Sequence, residues 1–225
     1  MTLSRVVVGD SSTSVAFDPA ANDSRVVFVC GHGAGGNMSD RGVLAVTQEL
    51  VRRGLGVVRF NFLYKELRSG RPDPMPLLKE TYAGVVAHVR ETLHPDVLII
   101  GGRSMGGRVA SMLAADGFAC DGLLLLAYPL HPDKRPAQLR DAHLPAIRVP
   151  VLCFNGTRDT MCTPALMERA IERVPAWQMH WIQGADHGFH VLKSSGRTDA
   201  GVIAEVGDVS ATWLNARILQ PDRTP

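Results

Sequence analysis

The chain has few cysteines and no long apolar run, and these two features limit the classes of protein to which it can belong. Its four cysteines, Cys30, Cys120, Cys153 and Cys162, form no Cys-x-x-Cys pair and have no histidine cluster beside them. This pattern indicates neither a disulfide framework nor a metal site. No stretch approaches the roughly 18 consecutive apolar residues of a membrane span, and residues 1–10 lack the apolar core of a signal peptide. We therefore expect a cytoplasmic protein without membrane association.

The chain also lacks a strong charge of either sign. Its formal net charge is +2, and its acidic and basic residues are scattered rather than gathered into a basic stripe. Nucleic-acid binding is therefore not expected. At 225 residues, with no linker rich in proline, glycine or serine and no repeat, the chain is expected to form one domain over residues 1–225, as a monomer or a homodimer.

Six short apolar runs alternate with amphipathic stretches. Five of them are apolar almost throughout, as buried parallel strands are when helices cover both faces of a sheet. The runs are residues 25–30, 56–60, 96–100, 122–127, 149–154 and 177–182. The alternation predicts an α/β fold with a mainly parallel sheet. Near the start, residues 5–8 and 14–17 flank a polar turn and predict an antiparallel hairpin at the edge of the sheet.

The connecting segments leave little room for a lid. Residues 67–76 and 131–150 are irregular and polar, and the second is expected to hold a short helix near residues 137–143. Neither segment is long enough to be an independent lid domain. We therefore expect a minimal lid and an open cleft, which favours short acyl chains over long lipids.

The strongest local motif surrounds Ser104. A buried strand runs into Gly102-Arg-Ser104-Met-Gly106, and an apolar helix follows at once. The sequence Gly-x-Ser-x-Gly in this context is the nucleophile elbow, a sharp turn that lifts the serine hydroxyl above the sheet. Small residues two positions away avoid collisions in such a turn. The alternative is a turn rich in glycine and serine that has no chemical role.

A glycine-rich loop, Gly31-His-Gly-Ala-Gly-Gly, follows the first buried strand. An oxyanion hole takes one amide from such a loop and one from the residue after the nucleophile, here Ala34 and Met105. His32 is interpreted as an anchor of the loop. A phosphate-binding loop is the alternative, but neither the dinucleotide spacing nor a Gly-Lys-Ser/Thr ending is present. No cofactor is expected.

Two further strands are followed by candidate catalytic residues, an aspartate and a histidine. Asp159 follows the strand at 149–154 and is a candidate to support a histidine, although it could instead cap the next helix or shape its own turn. His187 follows the strand at 177–182 and is preferred as the base over His190 and Asp186, because Gly188 leaves room for its ring. The order Ser, Asp, His is that of α/β-hydrolases, and the carboxyl ends of parallel strands meet at one edge.

Several segments together resemble one protein family. They are GHGAGGNMSD, RFNFLY, GGRSMGGRVAS, AYPLHP, QLRDAHL, NGTRD and ADHGF, spread over residues 25–190. The chain resembles bacterial α/β-hydrolases related to dienelactone hydrolase, and more narrowly the group that includes a testis-expressed protein and a subunit of the NSL histone-acetyltransferase complex. The resemblance implies a hydrolase fold and triad positions Ser104, Asp159 and His187, but no substrate. Dienelactone hydrolases proper carry cysteine at the elbow, where this chain has Ser104.

The sequence predicts a serine hydrolase that acts on a small acyl ester or thioester. Candidates for substrate contact are His32, Arg59, Tyr64, Arg103 and His131, which lie at or near strand ends. Arg140 and His143 share that placement, and together these residues suggest an anionic acyl group. The alternative is that the arginines pair internally and hold loops. At the level of function, the alternative is an interaction module that keeps the fold without catalysis.

Overall fold

An eight-stranded sheet forms the centre of the molecule in the computed structural model, which describes residues 1–220. The strands are β1 (Thr2–Val8), β2 (Ser11–Asp18), β3 (Val26–Gly31), β4 (Gly56–Phe60), β5 (Val97–Arg103), β6 (Gly122–Leu126), β7 (Val151–Gly156) and β8 (Trp177–Ile182). All six runs predicted as strands are strands. Residues 221–225, which the one-domain prediction includes, lie outside the described residues.

The strand order is β1-β2-β4-β3-β5-β6-β7-β8. β1 and β2 pair antiparallel, β2 pairs antiparallel with β4, and the remaining pairs are parallel. The predicted N-terminal hairpin at the edge of the sheet is therefore confirmed. The predicted α/β class with a mainly parallel sheet is confirmed as well.

Helices cover both faces of the sheet. They are α1 (Arg41–Arg52), α2 (Leu63–Glu66), α3 (Met75–Leu93), α4 (Met105–Ala115), α5 (Pro164–Ile171) and α6 (Asp199–Leu214). α1 and α6 pack on one face, while α3, α4 and α5 pack on the other. Along β3, Val27 and Val29 face the second group, whereas Phe28 and Cys30 face the first. Both faces are buried, so β3 is apolar at every position before Gly31 rather than alternating.

The prediction of a short helix near residues 137–143 is wrong. The segment between β6 and β7 runs through turns, and its only helical turn within the described chain is a 3₁₀ turn at Leu144–Ala146. The Arg140 amide donates to the Leu130 carbonyl at 2.7 Å, and the Tyr128 hydroxyl donates to the Arg140 carbonyl at 3.1 Å. The Arg140 amide and carbonyl are therefore bound to residues that follow β6 and are not available for the hydrogen bonds of a helix.

The parallel strands bring four loops to one edge of the sheet. β3 pairs with β5 in a register that sets Gly31 opposite Gly102. The loop after β3 therefore begins beside the turn that carries Ser104. β7 leads to Asp159 and β8 leads to His187, and both strands end at the same edge because they run in the same direction.

Candidate active site

Ser104 lies in a strained turn between β5 and α4. Its backbone angles are φ 50° and ψ −113°, a combination that residues other than glycine rarely adopt. The Ser104 amide donates to the Leu126 carbonyl of β6 at 2.8 Å. The turn also needs two close backbone approaches, since a Cβ on Gly102 or Gly106 would lie 2.2 or 2.3 Å from backbone atoms of Gly31. These contacts hold the serine above the sheet end.

The Ser104, His187 and Asp159 side chains form a hydrogen-bonded chain. Nε2 of His187 lies 3.0 Å from Oγ of Ser104, and Nδ1 of His187 lies 2.8 Å from Oδ2 of Asp159. The carboxylate can only accept, so Nδ1 carries the proton and Nε2 of the neutral ring accepts from the serine hydroxyl. The arrangement allows the imidazole to remove the serine proton.

The Asp159 side chain is fully buried, while that of His187 is about a quarter exposed. Asn155 of β7 donates from Nδ2 to Oδ2 of Asp159 at 3.1 Å, and the Met161 amide donates to Oδ1 at 2.8 Å. Asp159 therefore both shapes its own turn and contacts the histidine. It does not cap α5, whose N-cap residue is Thr163.

Asn155 was not singled out in the sequence. Its side chain is buried, accepts from the Tyr128 amide at 3.2 Å and donates to the Tyr128 carbonyl at 3.1 Å. It thus joins the ends of β6 and β7 while it holds the carboxylate. Its position at the start of the Asn-Gly-Thr-Arg-Asp segment was the available signal.

The glycine-rich loop is held by His32. Nε2 of His32 accepts from the Phe62 amide at 3.1 Å, Nδ1 donates to the Gly33 carbonyl at 2.7 Å, and the His32 carbonyl accepts from the Gly106 amide at 3.1 Å. Burial lowers the pKa of His32, which fits a neutral ring with one donor and one acceptor. The ring is fully buried, so its contacts are those of an anchor, not of a substrate-binding group.

A cavity of about 350 Å³ lies beside Ser104. Its walls are formed by Ala34, Pro72, Asp73, Met75, Leu78, Ser104, Met105, Arg108, Pro129, Arg140 and Met161. Within residues 1–220, neither the Ala34 amide nor the Met105 amide donates a hydrogen bond inside the protein. Met105 is also the first residue of α4, where the helix dipole favours negative charge. Both amides are therefore available to an oxygen next to the serine.

The structure corrects the assignment of Arg59 and His131 to substrate contact. Arg59 is 2% exposed and donates through Nη2 to Asp18 at 2.7 Å. His131 is also 2% exposed, and its Nε2 lies 3.0 Å from Oγ1 of Thr163. Both side chains are satisfied inside the protein and hold loops.

Tyr64 and Arg103 are likewise outside the cavity wall. The Tyr64 hydroxyl donates to the Ala34 carbonyl at 2.8 Å, and burial raises the pKa of this phenol to about 12, so it remains a donor. Arg103 donates to the His187 carbonyl at 3.3 Å. These two residues support the glycine-rich loop and the histidine loop instead of touching a bound molecule.

The cavity wall contains charged residues that were not predicted to bind substrate. Arg108 and Asp73 were not singled out, and Arg140 was noted only as one of several residues near strand ends. The signal for Arg108 was its spacing, because a residue four positions after the elbow serine lies one helical turn further along α4.

The four cysteines are all free, and none lines this cavity. Cys30 and Cys153 are buried, as expected for strand residues. Burial raises the pKa of Cys30 to about 12, so its thiol stays protonated.

The described residues contain neither a helix suited to cross a membrane nor a cluster of metal-binding side chains. Across residues 1–220, no helix has the length and apolar character needed to cross a membrane. In the same part of the chain, no three His, Cys, Asp or Glu side chains are grouped closely enough to hold a metal ion.

The fold and the hydrogen-bonded Ser104–His187–Asp159 arrangement define an α/β protein of the hydrolase class. The model of the alpha/beta hydrolase domain family matches residues 24–215. The chain therefore belongs to the alpha/beta hydrolase domain family. The resemblance noted in the sequence to the dienelactone-hydrolase-related group agrees with this result.

Solved structures show the same fold at low sequence identity. An alpha-beta serine hydrolase homologue from Coxiella burnetii is 19% identical with a TM-score of 0.77, and the match covers 95% of this chain and 97% of that one. Dienelactone hydrolase from Anabaena variabilis is 19% identical with a TM-score of 0.74, covering 96% and 97%. A lidless a/b serine hydrolase from Xanthomonas campestris is 20% identical with a TM-score of 0.74, covering 100% and 96%.

Proposed function

We propose that this chain is a serine hydrolase that cleaves small acyl esters or thioesters through an acyl-enzyme intermediate. Ser104 is the nucleophile, His187 the general base and Asp159 the carboxylate that orients the imidazole. The proposal is carried by the hydrogen bonds of 3.0 Å and 2.8 Å that join the three side chains beside a cavity.

The proposed reaction has two halves. Nε2 of His187 takes the proton of Ser104, whose Oγ attacks the carbonyl carbon, and Asp159 stabilises the imidazolium that forms. The tetrahedral intermediate collapses, and His187 gives the proton to the departing alcohol or thiol. Water, deprotonated by the same imidazole, then attacks the acyl-enzyme and releases the acid and Ser104.

The Ala34 and Met105 amides are the proposed oxyanion donors. Each donor of this kind contributes about 3 kcal/mol to the transition state. A cavity of about 350 Å³ is at the small end of ligand sites, which supports a small substrate.

Ser104→Ala tests the proposal directly. We expect the wild-type protein to react with a fluorophosphonate probe and to hydrolyse p-nitrophenyl acetate or butyrate. We expect Ser104→Ala to lose the labelling and about 10⁴-fold or more of kcat, because the nucleophile is removed. Ser195→Ala, at an exposed serine in a turn far along the chain, is the matched control and should keep both activities.

A folded wild-type protein that reacts with no probe and hydrolyses no ester would contradict the proposal. It would instead favour a non-catalytic interaction module. Circular dichroism and thermal unfolding of each variant establish that the proteins compared are folded.

A further inference from the structure

Two guanidinium groups without counter-ions line the cavity beside Ser104. They belong to Arg108 and Arg140. Within residues 1–220, neither guanidinium has a carboxylate within 4.0 Å or a hydrogen-bond acceptor in the protein. Nε of Arg108 is buried and has no hydrogen-bond partner in the described part of the chain. Buried guanidinium donors are normally paired, so this exception calls for a ligand.

Arg108 is placed by the helix that begins at the elbow. Its amide donates to the Ser104 carbonyl at 3.0 Å, which closes the first turn of α4. Residues four positions apart lie on the same side of a helix. Arg108 therefore lies on the same side of the elbow as the serine hydroxyl, one turn away.

Arg140 is placed by the segment between β6 and β7. Its amide and carbonyl are bound to Leu130 and to the Tyr128 hydroxyl, at 2.7 and 3.1 Å. Further along the same segment, Nε2 of His143 lies 2.8 Å from Oγ of Ser111 in α4. The segment is thus held against the helix that carries Arg108. Burial, followed by the Arg108 cation, lowers the pKa of Arg140, as expected for two neighbouring cations.

The cavity wall offers little charge to balance this pair. Among the described residues that line the cavity, Asp73 is the one carboxylate, and its Oδ2 accepts from the Tyr64 amide at 3.0 Å. It lies beyond 4.0 Å from both guanidinium groups. Burial and Arg108 lower the pKa of His143 to about 4, so this ring adds no charge at neutral pH. The side chains that line the cavity therefore carry a net positive charge.

We propose that the substrate carries a carboxylate that Arg108 and Arg140 bind while its ester carbonyl lies at Ser104. This inference rests on the proposed hydrolase function and names the substrate class of the same site. A planar guanidinium matches the geometry of a carboxylate, and a bound carboxylate supplies the counter-ion that the two guanidinium groups lack within residues 1–220. Met75, Leu78 and Met161 form apolar walls, so a short hydrocarbon spacer separates the carboxylate from the ester.

The carboxylate belongs either to the acyl part or to the alcohol part of the ester, and two pairs of substrates distinguish these sources. Monoethyl glutarate carries the charge in its acyl part, and ethyl glutaramate is its neutral amide analogue. Acetoxyacetate carries the charge in its alcohol part, and acetoxyacetamide is its neutral analogue. Acid release is followed by titration at constant pH. We expect kcat/KM to favour the anionic member of one pair by about tenfold or more.

Arg108→Gln and Arg140→Gln remove the charges. Each should lower kcat/KM for the preferred anionic ester about tenfold, mainly through KM, and change that for its neutral analogue less than about threefold. Arg108→Lys should keep part of the preference, since it keeps the charge and loses the planar fork. Arg135→Gln, an exposed arginine of the same segment outside the cavity, is the matched control and should behave as wild type.

Binding of glutarate to Ser104→Ala, measured by calorimetry, gives a readout without catalysis. If neutral esters are hydrolysed as well as anionic ones in both pairs, the carboxylate site is wrong while the hydrolase function stands. If no ester is hydrolysed but glutarate binds and the arginine variants abolish that binding, the site stands and the hydrolase function fails. If there is neither hydrolysis nor binding, both are overturned. The wild-type preference decides the matter even if an arginine variant does not fold.

Discussion

Gly106 lies where the first turn of α4 meets the backbone of β3. A Cβ at this position would lie 2.3 Å from the carbonyl carbon and oxygen of Gly31, and backbone cannot rotate away as a side chain can. The Gly106 amide also donates to the His32 carbonyl at 3.1 Å. The glycine therefore sets the distance between the elbow and the glycine-rich loop.

We expect Gly106→Ala to lower the free energy of unfolding by about 3 kcal/mol, because the added methyl forces the helix and strand apart. Gly35→Ala, in the glycine-rich loop that Gly106 contacts, is the matched control, since a Cβ there meets no atom of residues 1–220 within 4 Å. It should change stability by less than about 0.5 kcal/mol. Denaturant unfolding measures both, and equal values for the two variants would show that the close approach has no energetic consequence.

Between elements, Arg59 connects three parts of the fold. From β4 it donates through Nε and Nη2 to Asp18 at the end of β2, at 3.1 and 2.7 Å. Its Nη1 donates to the Met38 carbonyl, just before α1, at 2.5 Å. Since Arg59 is only 2% exposed, its charge depends on these partners.

We expect Asp18→Ala to cost about 3 kcal/mol of unfolding free energy, because it leaves a buried cation without its carboxylate. Arg59→Met removes that cation as well and should cost less. The control is Asp96→Ala, which breaks the Arg25–Asp96 pair, whose side chains are 54% and 69% exposed. Its effect should be about 0.5 kcal/mol or less. Similar losses for the two aspartate variants in chemical denaturation would argue against a buried ion pair.

At the scale of the whole molecule, the sequence was enough to predict those features that depend on residues adjacent in the chain. β3 to β7 are recognisable because both of their faces are buried, and the Ser104 turn is recognisable because its glycines and the flanking strand and helix are contiguous. Asp159 and His187 could be located because each follows a strand of known direction. The parallel sheet then fixed where they would meet.

What the sequence could not predict depends on partners that are distant in the chain. Residues 137–143 were predicted as a short helix, but the Arg140 amide and carbonyl are bound to Leu130 and to the Tyr128 hydroxyl, which follow β6. Arg59 and Arg108 are both arginines near the edge of the site, yet Arg59 pairs with Asp18 while Arg108 has no carboxylate partner among residues 1–220. Only the three-dimensional arrangement separates an arginine that holds loops from one that is left for a ligand.

Stability of the whole molecule should depend on pH through His32, which is buried, and His143, which is partly buried. Burial, together with Arg108, lowers the pKa of His143 from 6.5 to about 4, and burial also lowers that of His32. Between about pH 4 and pH 6.5 the unfolded chain binds a proton at residue 143 that the folded protein does not. Stability therefore rises with pH across this window and falls on acidification.

We expect the unfolding free energy of the wild-type protein to fall between pH 6.5 and pH 4.5, and that of His143→Gln to fall by about 1–2 kcal/mol less. One pKa unit corresponds to about 1.4 kcal/mol, and the partial exposure of His143 reduces the full effect. Chemical denaturation at several pH values compares the slopes, so a constant loss caused by the substitution itself cancels. His88→Gln, at a partly exposed histidine of α3 whose Nε2 lies 3.5 Å from Oγ of Ser4, is the control and should follow the wild-type slope. A His143→Gln slope equal to that of wild type would mean that protonation of this ring does not oppose folding.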